Sequence, residues 1–218
     1  MTTGTATASR TLPRAAQRPP INPFAPALEL AALRADPVYW GIGVPRGDGR
    51  AVLVLPGLGG GDGYLGTLRR WLSRIGYRPV KSGLERNPGW SAELVEQLGR
   101  AVAAEAETSG KPVSIIGHSM GGVIGRSIAK LPGAAVERVI TLGSPLGMST
   151  GHLPPSVRLT AIYSRQDPIV RYPAGLARDP GAESIEVRGS HIGLAHNRFV
   201  YRELGRLLAA RVAAATYL

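Results

Sequence analysis

From Ala51 onward the chain alternates between two patterns. Short runs of consecutive apolar, often β-branched residues occur at 51–56 (AVLVLP), 78–83 (RPVKSG), 112–117 (PVSIIG), 138–144 (RVITLGS), 158–164 (RLTAIYS) and 184–188 (SIEVR). Between them, apolar residues recur at helical spacing over 64–75, 90–108 and 120–130, and a last amphipathic stretch covers 193–213. Runs that are apolar throughout, rather than at every second position, suit strands buried on both faces. Strands of that kind alternating with helices build a parallel sheet covered on each side. The expectation is a three-layer α/β domain with a mostly parallel sheet. No repeat with a period of about 20–50 residues interrupts it, and no low-complexity seam divides 51–218.

The N-terminal part reads differently. Residues 1–25 carry scattered Pro, Thr and Arg and suit a disordered or extended tail, while 27–35 form a short helical pattern stopped by Pro37. The expected division is a tail at 1–25 and a catalytic domain at 26–218. The tail lacks the continuous apolar stretch of a signal peptide, and no later segment reaches the roughly 20 apolar residues of a membrane span. A cytoplasmic location is expected, with an organelle transit peptide as the minor alternative, since no acidic residue precedes Glu29.

Composition narrows the chemistry. With 44% hydrophobic and 19% charged residues, the 218-residue chain is an ordinary globular one. It contains no cysteine, which excludes disulfides, thiolate nucleophiles and Cys-ligated metals, and its four histidines follow no metal-ligand spacing, so no metal site is expected. The net charge of +11 raises a polyanion partner. However, the basic residues are nearly all Arg and are dispersed along the chain, as a biased genomic composition would leave them. No nucleic-acid partner is expected.

The strongest local signal is Gly117-His118-Ser119-Met120-Gly121, a G-x-S-x-G lying directly after one strand pattern and directly before a helical one. That context suits a nucleophilic serine on a strained strand-to-helix turn, with glycines where the backbone passes closely. A hydroxyl needs a base to take its proton. His191, in the GSH that follows the last strand pattern, fits better than His118 beside the serine, His152 in a polar loop or His196 further along. The carboxylate that orients the base should follow a strand between the two, and Asp167 after RLTAIYS does so more directly than Asp179 or Glu183. Developing negative charge requires backbone N–H donors. Met120 after the nucleophile supplies one, and Leu58 in the loop PGLGGG at 56–61 is the candidate for the other. That loop lacks the spacing and the Lys-Ser/Thr ending of a phosphate-binding loop.

Taken together, PGLGG at 56–60, GHSMGG at 117–122, TLGSP at 141–145, YSRQDPIV at 163–170 and GSH at 189–191 resemble the bacterial lipase and carboxylesterase group of the α/β-hydrolases, over about residues 50–210. The resemblance implies hydrolysis of carboxylic esters, including lipid esters, through an acyl-enzyme on Ser119, without a cofactor. The oxyanion loop departs from the pattern in beginning Pro56-Gly57 where many relatives have His-Gly. Only residues 146–157 separate TLGSP from the next strand, too few for the helical lid of many relatives, so an open, shallow cleft without interfacial activation is expected. Leu146, Ile169 and Val170 are candidates to contact substrate, with Leu58 and Met120 beside them. The open alternatives are a thioesterase, amidase or acyltransferase of the same fold, a hydrolase-fold binding protein without activity, and a basic surface binder acting through Arg10, Arg14, Arg18 and the arginines near 69–78.

Overall fold

The computed structural model describes residues 21–148 and 151–210. Six strands, β1 (Ala51–Leu55), β2 (Arg78–Lys81), β3 (Val113–His118), β4 (Val136–Leu142), β5 (Arg158–Tyr163) and β6 (Glu183–Glu186), form one sheet in the order β2-β1-β3-β4-β5-β6. Every neighbouring pair is parallel. β1 and β3 are buried along their whole length, as their uninterrupted apolar runs imply. The edge strands β2 and β6 are more exposed and carry Arg78, Lys81, Glu183 and Glu186, charges that blunt pairing with another chain.

The side-chain alternation of the strands divides the core in two. Val52 and Val54 of β1, with Ile116, Ile140, Leu142 and Ile162, face helices α2 (Gly66–Arg74) and α5 (Arg198–Ala209). Trp71 is central to that layer: its ring lies 4.7 Å from Tyr201, and its Nε1–H donates to the Val38 carbonyl at 2.7 Å. Ala51, Leu53, Leu55, Ile115 and Val139 face the opposite layer of α3 (Ala92–Ser109) and α4 (Met120–Ile128). Helix α3 starts on Ser91, whose side chain accepts from the Leu94 N–H, and ends at Gly110 in the left-handed region.

The sheet order reverses at β1, which lies between β2 and β3. The loops leaving the carboxyl ends of β1 and β3 therefore diverge to opposite faces and open a crevice between them, the usual place for a ligand in a parallel sheet. The loop 56–61 and Ser119 both lie at this crevice. Between β4 and β5 the described residues hold only a single 3₁₀ turn, Leu146–Met148. Among the described residues no helix is long and apolar enough to cross a membrane.

Two elements differ from the sequence expectation. The N-terminal helix, α1, runs over Ala25–Ala35 and packs on the His191 segment near the end of the chain; residues 1–20, assigned to the tail, lie outside the described residues. Within its described part, 193–210, the amphipathic stretch 193–213 is two elements, a 3₁₀ turn, Ile192–His196, and α5; residues 211–213 lie outside the described residues. The break is Asn197, whose backbone is extended and whose Oδ1 accepts from the Phe199 and Val200 N–H groups. Its Nδ2 donates to the Arg188 carbonyl at 2.7 Å, tying the start of α5 to the loop that leads to His191. Asn197→Ala removes the cap and the bond to the Arg188 carbonyl, and is expected to lower the unfolding free energy by roughly 1–2 kcal/mol, measured by urea denaturation; an unchanged midpoint would show that the cap is dispensable.

Candidate active site

Ser119 occupies the turn between β3 and α4 with φ 52° and ψ −123°. This is the left-handed half of backbone space, costly for a residue with a side chain, and persists only where the surroundings enforce it. Packing enforces it here. A Cβ on Gly117 would overlap the backbone of Gly121 and Gly122, and one on Gly121 would overlap the Leu55 carbonyl, so both glycines are needed for α4 to sit against β3 and the end of β1. The Ser119 N–H is fixed by the Leu142 carbonyl of β4 at 2.8 Å.

Three predicted residues meet around this turn. His191 Nε2 lies 3.0 Å from Ser119 Oγ, and His191 Nδ1 lies 2.7 Å from Asp167 Oδ2. The other Asp167 oxygen accepts from the N–H groups of Ile169 and Val170 at 2.8 and 2.9 Å. Asp167 is thus an Asp-Pro turn former and the partner of His191 at once. Its acceptor position dictates the tautomer: Nδ1 carries the proton and Nε2 is left to accept from the serine hydroxyl. His191 and Asp167 are 7% and 1% exposed. Of the rival carboxylates, Asp179 forms an ion pair with Arg126 at 2.7 Å. Burial opposes its charge, but the Arg126 bond prevails and holds its carboxyl below the usual range. Glu183 pairs with Arg206 at the surface.

The loop after β1 is held rigid by Asn87, a residue the sequence reading did not single out. The Asn87 side chain donates to the Pro56 carbonyl at 2.6 Å, its backbone N–H donates to Gly60 O, and its carbonyl accepts from the Gly59 N–H. The Gly57 N–H is taken by the Tyr64 hydroxyl and the Gly60 N–H by the Gly57 carbonyl. Among the described residues, only the Leu58 N–H of the stretch 57–60 is left without an acceptor. The Met120 N–H, in the first turn of α4, is likewise unsatisfied. These are the two donors expected from the sequence.

His118 is neither base nor solvent-facing. Its Nε2–H donates to the His191 carbonyl at 2.8 Å, and its Nδ1 accepts from the Tyr64 hydroxyl at 2.6 Å, which in turn accepts from the Gly57 N–H. A single chain of hydrogen bonds thus joins the loop after β1, the turn carrying Ser119 and the backbone of His191. Burial, reinforced by the neighbouring His191, lowers the His118 pKa to about 4, and burial pushes the Tyr64 hydroxyl up to about 12, so both are neutral at pH 7. His196 is also pushed down by burial, and His152 is exposed.

A cavity of about 830 Å³ opens over Ser119, lined by Leu58, Tyr64, Met120, Pro145, Ile169 and Val170 among others. Of the predicted substrate contacts, Ile169 is 61% exposed at its rim and Val170 lies in its wall. Leu146 is buried and does not line it; Pro145 takes that place. Another residue missed by the sequence reading is Glu29 of α1. Its carboxylate accepts from the Ser190 N–H and hydroxyl at 2.8 and 2.7 Å, directly before His191, in a space that a side chain on Gly193 would fill.

A family model described as a PGAP1-like alpha/beta domain matches residues 91–169. Solved structures extend the likeness. The chain is similar to the monoacylglycerol lipase of Paleococcus ferrophilus, at 14% identity and a TM-score of 0.53, over 76% of this chain and 96% of that one. It is similar to the monoglyceride lipase of Saccharomyces cerevisiae, at 14% identity and a TM-score of 0.56, over 76% and 89% of the two chains. The chain has the α/β-hydrolase fold. Lipase B of Aspergillus fumigatus shares the α/β-hydrolase fold at a TM-score of 0.58 and 14% identity, over 79% of this chain and 54% of that larger one.

Because the folded-state pKa of His118 lies below its unfolded value, the unfolded chain takes up a proton first as pH falls. The stability that neutral His118 contributes is present above about pH 6.5 and is lost toward pH 4, by an amount of order 3 kcal/mol. His118→Gln is expected to flatten the fall in stability over this window relative to the wild type, read from urea unfolding at a series of pH values. Identical slopes for the two proteins would contradict a neutral, buried His118.

Proposed function

We propose that the protein is a serine hydrolase that cleaves carboxylic esters, lipid esters included, in one catalytic domain and without a cofactor. The observation that carries this reading is that His191 bonds Ser119 Oγ on one side and Asp167 on the other, beside two unsatisfied N–H groups at the mouth of an apolar cavity. The likeness to lipases of the same fold supports it.

In this mechanism Ser119 Oγ attacks the carbonyl carbon while His191 Nε2 takes the hydroxyl proton. Asp167 keeps the imidazole oriented and stabilises the imidazolium. The carbonyl π electrons move to oxygen, and the oxyanion is held by the Leu58 and Met120 N–H groups, fixed dipoles that need no rearrangement as charge develops. The tetrahedral centre collapses with cleavage of the ester C–O bond, and His191 returns its proton to the departing alkoxide. Water, deprotonated by His191, then attacks the acyl-serine and releases the acid, restoring the Ser119 hydroxyl.

The test is hydrolysis of p-nitrophenyl butyrate and palmitate by the wild type, Ser119→Ala and Asp167→Asn. Loss of the serine is expected to reduce kcat by about 10⁶-fold and loss of the Asp167 charge by about 10⁴-fold, with both variants still folded by circular dichroism. Wild-type rates in the Ser119→Ala protein would overturn the assignment of the nucleophile.

A further inference from the structure

A second cavity, of about 510 Å³, lies behind the first. Its walls come from the N-terminal segment, with Ile21, Pro23, Ala25 and Pro26, and from Pro168 and Gly189 on the opposite side. Ile169, His191 and Ile192 line both cavities and form the ridge between them. Ser119 and the two unsatisfied N–H groups belong to the first cavity alone. His191 is thus the point at which two apolar chambers meet.

The stereochemistry of the proposed reaction decides what each chamber can hold. A tetrahedral carbon bonded to Ser119 Oγ has three other substituents. The oxyanion must point at the Leu58 and Met120 N–H groups. The leaving oxygen must come within proton-transfer reach of His191 Nε2, because an alkoxide departs only with a proton. The acyl chain takes the remaining direction. The alcohol part of the ester therefore leaves past His191, and the space beyond His191, Ile169 and Ile192 is the second cavity.

The chemistry of that cavity selects the alcohol. Its exposed lining is mostly apolar, from Ile, Pro and Ala side chains, with Asn22 and Gln166 as polar members of the wall. The carboxylate of Glu29, also in the wall, is turned to the Ser190 N–H and hydroxyl. Those bonds fix α1 in place as a wall. We infer that the second cavity is an alcohol-side subsite, and that the substrates are esters of long-chain apolar alcohols, with the N-terminal helix doing on the alcohol side what an inserted lid would otherwise do. The inference rests on the ester-hydrolase reading.

The test compares acetate esters of ethanol, butanol and octanol, below their solubility limits, in the wild type and in Ala25→Trp, whose indole would occupy the second cavity. For the wild type, kcat/KM is expected to rise at least about tenfold from ethyl to octyl acetate, as burial of successive methylenes requires. In Ala25→Trp the octyl-to-ethyl ratio should fall by about the same factor. Octanol should inhibit hydrolysis of p-nitrophenyl butyrate by the wild type competitively, a measurement independent of whether the variant folds. Turnover of p-nitrophenyl esters with no dependence on alcohol length and no inhibition by octanol would overturn the subsite and leave the hydrolase reading standing. No turnover of any ester, together with failure of a fluorophosphonate to label Ser119, would overturn both.

Discussion

The backbone at Ser119 is held where a residue with a side chain costs of order 1–3 kcal/mol, and much of the site geometry follows from keeping it there. The turn is tight because α4 is pressed against the end of β1 through Gly121, and Gly117 offers no side chain to obstruct it. That compression fixes three things together. The Ser119 side chain is lifted above the sheet edge, the Met120 N–H is left at an open helix terminus, and His118 is driven into the interior between Tyr64 and the His191 carbonyl. Loosening the turn would relax the strain, but it would also move the proposed nucleophile, one of the two unsatisfied N–H groups and the His118 support of His191 at the same time. Strain in this turn is thus inseparable from alignment.

The segment carrying His191 is irregular and would wander if only its own backbone held it. It is instead held from four directions. Asp167 fixes the imidazole, His118 fixes the carbonyl of the same residue, Glu29 fixes the preceding Ser190, and Asn197 fixes Arg188. Each anchor comes from a different element: the turn after β5, the end of β3, helix α1 and the cap of α5. Preorganisation of this kind matters because proton transfer is sensitive to small displacements of the base. The loop after β1 is treated in the same way, with Asn87 folding it into a single shape despite its four glycines in 57–61.

The parts of this arrangement that were legible in the sequence are those whose causes are local. A strand buried on both faces must be apolar throughout, so β1, β3, β4 and β5 stand out. A strand-to-helix turn this tight needs glycine at 117 and 121, so Ser119 stands out. Asp167 was legible because the residue that pairs with His191 is also the one that shapes the Asp-Pro turn. The supports were not legible, because nothing in their neighbourhoods requires them: Glu29 acts on a residue 161 positions away and His118 on one 73 away. Asn197 is the intermediate case. Its residue type is a favoured helix cap, yet the amphipathic period runs through it, and only its bond to Arg188 settles that the helix starts there.

The absence of helices between β4 and β5, apart from one 3₁₀ turn among the described residues, would be expected to leave the site wet. The His191–Asp167 pair is nevertheless buried. The cover comes from the N-terminal side of the described chain: α1 seats on the His191 segment through Glu29, and Ile169 and Ile192 line the same cavities as His191. In the proposed reaction, burial would strengthen the attraction between a His191 imidazolium and the Asp167 carboxylate, because less solvent screens it. At the same time the serine hydroxyl faces an open cavity. The fold therefore buries the His191–Asp167 pair and leaves the Ser119 side open to the cavity. In the proposed hydrolase the rim residues Leu58 and Ile169, both exposed, can change side chain without disturbing the bonds that align the buried pair.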